Sequence, residues 1–246
     1  WWFNDPSKHI NYPNISLSDR VEEAVLSLMR RKVSVKYDDV VAEIFRLYPN
    51  GLTPDPKGIR KTLEKYAVPI SGKWKLKEDV VHDVTKHTEI IHSLVKIGKK
   101  NGYTVFVGKR EQSEKCSNSQ CLRDITDMAS IYKEGIEKER IERINMIDAI
   151  WTDGNEIKCI FEVENSTNFS MALQRASNLD KEIPKFMIIP DKREEELCSV
   201  VDPVFIKLFK EYNWKFVTYT SILRMATSRK VEFESLLKVS KDIGEK

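Results

Sequence analysis

The chain has 246 residues, of which 41% are hydrophobic and 32% charged, a composition that is ordinary for a globular protein and excludes a fibrous or disordered one. No stretch approaches the roughly 20 apolar residues that cross a bilayer, so no membrane partner is expected. The net charge is +3, and the whole excess lies in residues 1–80, where 14 Lys and Arg stand against 11 Asp and Glu.

The chain begins WWFNDPSKH, without an initiator methionine and without the basic and then apolar run of a signal peptide. We therefore expect a fragment or processed product of a cytoplasmic protein, in which thiols stay reduced. Only Cys116 and Cys121 lie close together among the cysteines, in a polar run. They could form half of a zinc knuckle, but no second pair with zinc-ligand spacing follows them.

Residues 1–79 are predicted to form a small domain of three helices and a hairpin. Helical spacing of apolar residues predicts helices from Leu17 to Arg31, from Tyr37 to Leu47 and from Pro56 to Tyr66. The stretch VPISGKWKLK then predicts a hairpin that turns at Ser71-Gly72. This order is typical of a winged helix, in which a later helix enters the DNA major groove.

The third helix and the hairpin of this domain carry the residues expected to contact DNA. Lysine and arginine side chains on one helix face and on a wing would meet backbone phosphates. The set is Lys57, Arg60, Lys61, Lys65, Lys73, Trp74 and Lys75. There are two alternatives: the basic helix face is only solvated, or the domain binds other proteins rather than DNA.

Residues 80–246 are predicted to form a second domain. A helix from about Glu78 to Lys100 leads into the strand YTVFVG, a mobile polar loop and a charged helix over residues 122–140. INMIDAIWT and EIKCIFEVEN predict a hairpin that turns at DGN. The helix SMALQRASNLDKEI, the strand KFMIIP, the helical stretch REEELCSVVDPVFIKLFKEY, the strand WKFVTYTSIL and a last helix follow. Strands that alternate with helices predict an α/β fold with a central mixed sheet.

Three acidic residues lie on the predicted hairpin: Asp148 on its first strand, and Glu162 and Glu164 on its second. Because side chains alternate along a strand, the two glutamates share one face. The strand is otherwise apolar, so its glutamates are expected to be buried, where carboxylates repel one another strongly. A divalent cation would relieve that repulsion. The pattern predicts a Mg²⁺ or Mn²⁺ site that could hold a phosphate and activate water. Solvated glutamates on an open sheet face are the alternative.

Asp148 followed by Glu162-Val163-Glu164 resembles the PD-(D/E)xK nuclease superfamily, over about residues 80–225. That resemblance implies a restriction-endonuclease-like core with Asp148, Glu162 and, from the preceding helix, Glu89 as metal ligands. FEVENST and the stretch from WWFNDP to TPDPKGIRKTLEKY are also similar to nuclease-like domains preceded by a winged helix. Those domains are attached to adenine-specific DNA methylases of restriction–modification systems.

This sequence differs from the superfamily pattern at Glu164, the position at which the superfamily has lysine. Certain type II restriction endonucleases are similar, with Glu-x-Glu, and there the second glutamate can position or deprotonate the water. Lys109 and Arg175 are candidates to stabilise the charge on the phosphate, and Gln174 to orient substrate or water. The missing lysine is also compatible with an inactive core kept for binding.

The sequence therefore indicates a metal-dependent endonuclease-like domain of a restriction–modification protein, acting on double-stranded DNA. An inactive module that recognises DNA for a methylase on the same polypeptide, and a protein-interaction scaffold, are the alternatives. A cutter of palindromic sites is expected to form a homodimer, although no dedicated dimer helix is visible. His82, His87 and His92 recur every five residues and are expected in surface or packing positions.

Overall fold

The structure is a computed structural model that describes residues 17–48, 54–132, 136–164, 169–200, 202–229 and 231–244. The chain divides into two compact units, Trp1–Val84 and Thr85–Lys246. No helix in these described ranges is long and apolar enough to cross a membrane.

The described residues of the first unit that precede Glu78 form three helices and a hairpin. The helices are α1 (Leu17–Arg31), α2 (Tyr37–Leu47) and α3 (Pro56–Tyr66), with the bounds that the periodicity predicts. The strands of the hairpin are β1 (Ala67–Ile70) and β2 (Lys73–Leu76). Asp55 caps α3, since its side chain accepts a hydrogen bond from the Gly58 N–H at 2.9 Å.

The hairpin turns at Ser71 and Gly72, which both have positive φ, as the two central residues of a type I′ turn require. Val35, between α1 and α2, forms two backbone hydrogen bonds with Trp74 of β2, at 3.0 and 2.7 Å. These bonds fasten the hairpin to the helices around a shared core, whose buried members include Val25, Leu28, Ile44, Ile59, Leu63 and Leu76.

The second unit is built on a five-stranded mixed sheet in the order β3-β4-β5-β6-β7. The strands are β3 (Thr104–Val107), β4 (Ala149–Asp153), β5 (Glu156–Val163), β6 (Lys185–Ile189) and β7 (Trp214–Thr218). β3, β4 and β5 pair antiparallel, whereas β5, β6 and β7 run parallel. The predicted α/β class with a central mixed sheet is therefore confirmed.

Helices cover both faces of this sheet. They are α4 (Glu78–Lys100), α5 (Lys138–Ile144), α6 (Ser170–Ala176), α7 (Glu194–Cys198), α8 (Pro203–Glu211), α9 (Tyr219–Thr227) and α10 (Phe233–Val239). One apolar core joins the sheet to α4, α9 and α10, and another joins it to α5, α6, α7 and α8. Because helices cover both faces of the sheet at the parallel strands β5 and β6, the sequences of these strands are almost continuously apolar.

Several sequence expectations for the second unit are wrong. The helix expected over SMALQRASNLDKEI ends at Ala176, and the strand expected over WKFVTYTSIL ends at Thr218, since α9 begins at Tyr219. Where the structure describes residues 122–140, the charged helix that was expected there is replaced by a 3₁₀ turn at Leu122–Asp124 and by irregular chain up to residue 132, and α5 begins only at Lys138. The apolar side chains of this stretch do not recur at a sustained helical period. The polar run expected to be a mobile loop forms a 3₁₀ turn at Glu111–Ser113 and buries Glu111, Glu114 and Cys116.

Candidate functional site

Asp148 and Glu162 face each other on the β4–β5 hairpin. Ala149 pairs with Phe161, and the same register continued by one residue places Asp148, directly before β4, opposite Glu162. Asp148 is also tied to the neighbouring strand, because the Val163 N–H donates to Asp148 Oδ2 at 2.7 Å. Both acidic residues are almost fully buried, Glu162 at 0% and Asp148 at 1% exposure. Antiparallel pairing thus brings together two carboxyl groups from opposite strands of one hairpin.

Arg175 of α6 holds both oxygens of the Glu162 carboxylate. Its Nε donates to Oε1 at 2.9 Å and its Nη2 to Oε2 at 2.6 Å. This two-point geometry is the strong form of an arginine–carboxylate pair. Burial raises the pKa of Glu162 well above its usual value, against the positive charge of Arg175 and with the help of the neighbouring charges of Asp148 and Glu164.

Asp148 lies between positively charged or protonatable groups. His87 Nε2 on α4 is 3.5 Å from Asp148 Oδ2, and Arg110 Nη2 is 3.7 Å from Oδ1. Burial opposes ionisation of Asp148, but the hydrogen bond from His87 and the charges of His87, Arg175 and Arg110 outweigh it and hold the pKa below its usual range. The surroundings of Asp148 therefore favour its ionised form.

Two further buried carboxylates come from the segment that follows β3. The Arg110 Nε–H donates to Glu111 Oε1 at 2.8 Å, and the Thr88 hydroxyl donates to Glu114 Oε2. His87 Nδ1 lies 3.9 Å from Glu114 Oε2 on the other side of its ring from Asp148. Burial raises the pKa of Glu111, opposed by the charge of Arg110. We refer to the whole set as the buried charged cluster: His87, Arg110, Glu111, Glu114, Asp148, Glu162 and Arg175.

The remaining residues of the predicted catalytic set lie outside this cluster or at its rim. Glu164 is half-buried at the end of β5, near enough for its charge to act on Glu162. Glu89 pairs instead with Lys86 at 3.5 Å, and no contact within the described residues joins it to Asp148. Lys109 is exposed. Gln174 is half-buried on α6, and its backbone carbonyl accepts from Asn178 at 2.9 Å.

Sequence reasoning missed His87, Arg110, Glu111 and Glu114. His87 takes the packing position rather than the surface one of the two that were expected, and a signal for its burial was present: His87 precedes the buried Ile90, Ile91 and Leu94 by three, four and seven residues, on the buried face of α4. The other three come from an aperiodic polar run, in which no local pattern marks a buried carboxylate. The side chain of His82 and the residues Asn165–Thr167 of FEVENST lie outside the described part.

The buried charged cluster does not form a cation site in this arrangement. Asp148 Oδ1 is buried and has no hydrogen-bond partner within the described residues, which suits a metal ligand. Both oxygens of Glu162, however, are held by Arg175. In agreement, no group of three or more His, Cys, Asp and Glu side chains among the described residues is arranged to hold a metal ion.

The predicted DNA-binding residues of the first unit are mostly exposed. Lys57, Arg60, Lys61 and Lys65 lie on the solvent side of α3, opposite the buried Ile59 and Leu63. Lys65 also pairs with Glu22 at 3.2 Å. On the hairpin, Lys73 and Lys75 are exposed, whereas Trp74 is half-buried and packs against the core of the unit.

Comparison with known proteins gives one family match. The family described as the type II restriction enzyme NmeDI C-terminal domain matches residues 69–240, more than half of the 246-residue chain. This range contains every member of the buried charged cluster, whereas α1, α2 and α3 precede it. No match was found among curated proteins. None was found among solved structures.

Proposed function

The chain belongs to the family of the type II restriction enzyme NmeDI C-terminal domain, and from this membership we propose that it acts on double-stranded DNA as part of a restriction–modification system. The second unit, Thr85–Lys246, is the proposed endonuclease-like part, of PD-(D/E)xK type. The first unit, Trp1–Val84, is the proposed winged-helix module that binds the duplex.

One observation carries the nuclease proposal: two carboxylates, Asp148 and Glu162, face each other inside the protein. Burying charged groups of like sign is unfavourable, and strongly perturbed ionisable groups gather where chemistry occurs. Here burial raises the pKa of Glu162, while neighbouring positive charge lowers that of Asp148. Two carboxyl groups of one hairpin, held in opposite electrostatic environments, support a catalytic site more than a structural ion pair.

Arg175 and Glu164 have proposed roles in phosphodiester hydrolysis. A guanidinium binds a phosphate with the same two-point geometry that Arg175 uses on Glu162, and can stabilise the charge that develops on the phosphorus oxygens. Glu164, half-buried directly after β5, is the proposed group that orients or deprotonates the attacking water. Mg²⁺ or Mn²⁺ is the proposed cofactor, with Asp148 and Glu162 as ligands. The present arrangement of Glu162 does not fit a cation.

The binding role of the first unit is supported by its charge and its secondary structure. All of the net positive charge of the chain lies in residues 1–80. α3 follows α2 after a short connection, and its outer face carries Lys57, Arg60 and Lys61. A helix of this kind contacts the major groove, while exposed lysines such as Lys73 on a wing contact phosphates.

Nicking of supercoiled plasmid DNA in the presence of Mg²⁺ or Mn²⁺ tests the nuclease proposal. Wild type should convert supercoiled to open-circular or linear DNA, and Glu162→Gln and Asp148→Asn should reduce the rate at least about 100-fold. Glu142→Gln, at an exposed glutamate on α5, is the matched control and should retain full activity. Cleavage by Glu162→Gln at the wild-type rate would remove Glu162 from the site.

An inactive module that binds DNA for a methylase on the same polypeptide is the second candidate. Two observations favour it: Glu164 replaces the superfamily lysine, and Arg175 occupies both oxygens of Glu162. This candidate predicts salt-sensitive DNA binding without nicking by either cation, because phosphate contacts release counterions. Sedimentation of the protein with and without DNA tests the expected homodimer in either case.

A further inference from the structure

A cavity of about 410 Å³ lies at the carboxyl end of β7, the last strand in the sheet order. Strands β5, β6 and β7 run parallel, and their register aligns Val163, Ile188 and Val217. Their carboxyl ends therefore share one edge of the sheet, the edge at which Asp148 and Glu162 face each other. Neighbouring strands lie about 4.8 Å apart, so β7 is about 10 Å from β5 along this edge. In open α/β sheets, ligands bind at this edge.

The two acidic side chains that line the cavity, Asp191 and Glu194, are each held by a partner in its wall. Glu194 Oε1 lies 2.5 Å from Lys241 Nζ. Asp191 Oδ2 accepts a hydrogen bond at 3.2 Å from the Thr220 N–H, at the start of α9. Because this backbone donor is already taken, the side chains of the cavity are what a ligand would meet.

The remaining charged side chains of the cavity are Arg224 on α9 and Lys238 on α10, and both are exposed. Neither forms an ion pair with a residue of the described ranges. Arg224 follows Thr220 by four residues and Ser221 by three, so its guanidinium shares one face of α9 with their two hydroxyl groups. The cavity thus combines a guanidinium, an ammonium group and hydroxyl groups, and leaves its two unpaired cations available to an anion.

Arginine, lysine and hydroxyl side chains are groups that proteins use to bind the phosphates of the DNA backbone. One DNA strand rises about 3.4 Å per nucleotide, so the distance of about 10 Å from β5 to β7 corresponds to about three nucleotides. We propose that Arg224 and Lys238 bind a backbone phosphate of the DNA strand whose neighbouring part lies at the β4–β5 hairpin. This site rests on the proposed function, and it makes the carboxyl edge of the sheet the track that the DNA follows.

Lys207 and Lys210 on α8 provide a matched control pair. Both are exposed, and neither forms an ion pair with a described residue. The chain passes from α8 through a short turn into the amino end of β7, so Lys210 lies at the edge of the sheet opposite the cavity. Lys207→Gln with Lys210→Gln therefore removes two exposed positive charges from the same unit without changing the cavity.

The salt dependence of duplex binding by the full chain tests the site, with fluorescence anisotropy of a labelled duplex at about 50 to 200 mM salt. Arg224→Gln with Lys238→Gln should reduce the slope of log affinity against log salt concentration by about 0.9, because one phosphate contact is lost. The control pair should leave the slope unchanged. Equal reductions by both pairs would overturn the site in favour of a general charge effect.

The same titration separates failure of the site from failure of the proposed function. If wild type binds DNA and Arg224→Gln with Lys238→Gln has the wild-type slope, the site is overturned and the proposed function stands. If wild type binds no DNA even at low salt, both are overturned.

Hydrogen exchange of the peptide that spans α9 distinguishes a backbone phosphate from a free one. A short duplex should slow exchange in this peptide at least about threefold in wild type and in the control pair, but not in Arg224→Gln with Lys238→Gln. Inorganic phosphate at matched ionic strength should slow it much less. Slowing by inorganic phosphate as strong as that by the duplex would overturn DNA as the ligand and leave a site for a free anion.

Discussion

The Glu162–Arg175 pair gives the sharpest test of the energetics of the site. In Arg175→Met the buried carboxylate loses two charge-assisted hydrogen bonds, of 2.6 and 2.9 Å, each worth about 1.5–3 kcal/mol. Removing one partner of a buried pair typically costs about 3–5 kcal/mol, which agrees with that sum. We therefore expect Arg175→Met to lower the free energy of unfolding by about 3–5 kcal/mol.

Replacing both partners should restore most of the loss. Glu162→Leu combined with Arg175→Met leaves no buried charge at this position, and such apolar replacements are often neutral or stabilising. The Lys86–Glu89 pair on α4, whose N–O distance is 3.5 Å and whose side chains are about one third exposed, is the matched control. The same cycle there should give a coupling of only about 0–1 kcal/mol.

The loss in Arg175→Met should also depend on pH. Burial raises the pKa of Glu162 in the folded state, and removal of Arg175 takes away the positive charge that opposes this. A glutamate with a raised folded pKa stabilises the fold fully below its unfolded pKa of about 4.3, and this stabilisation is lost as pH rises through the folded pKa. Arg175→Met should therefore be more stable near pH 5 than near pH 8.

Urea unfolding followed by far-UV circular dichroism measures these differences, and hydrogen exchange of the β5 peptide locates them in the sheet. The reasoning is refuted if Arg175→Met costs less than about 1 kcal/mol at pH 8. It is also refuted if the double variant is as unstable as the sum of the two single variants, since the pair would then have no coupling.

Three other predictions concern separate parts of the chain. The pKa of Asp148 is held below its usual range in the folded protein. The ionised carboxylate therefore stabilises the fold above its unfolded pKa of about 3.9, and this stabilisation is lost as pH falls through the folded pKa. Wild type should lose stability relative to Asp148→Asn in thermal melts below about pH 4. A Cβ at Gly98 would lie 2.6 Å from Trp151 Nε1, so Gly98→Ala should destabilise by about 1–3 kcal/mol, and an unchanged melting temperature would contradict this packing. Arg60→Gln and Lys61→Gln should each reduce the salt slope of DNA binding by about 0.9, and an unaltered slope would exclude α3 from the interface.

The β4–β5 hairpin was predictable because its information is local. Alternation in CIFEV puts Glu162 on one face, the DGN turn sets the pairing, and the resulting register places Asp148 opposite. The membership of Glu111 and Glu114 in the buried charged cluster was not predictable. A glutamate in a polar run is expected to be exposed to solvent, and only the packing of the folded chain around these two buries them. Whether Glu89 or His87 faces Asp148 depends on how α4 is rotated about its axis against the sheet. The two residues are two positions apart, so their side chains point in directions that differ by more than half a turn.

The amino-acid sequence by itself determined the helices of the first unit, the class of the second and the facing carboxylates, since periodicity, capping and turn residues act between near neighbours along the chain. Only the tertiary structure decided that Arg175 holds Glu162, and that His87, Arg110 and two further carboxylates surround Asp148. These contacts join elements separated by other strands and helices. They arise where side chains of α4, α6 and the segment after β3 reach the acidic residues of the β4–β5 hairpin, and their positions depend on how the whole core packs.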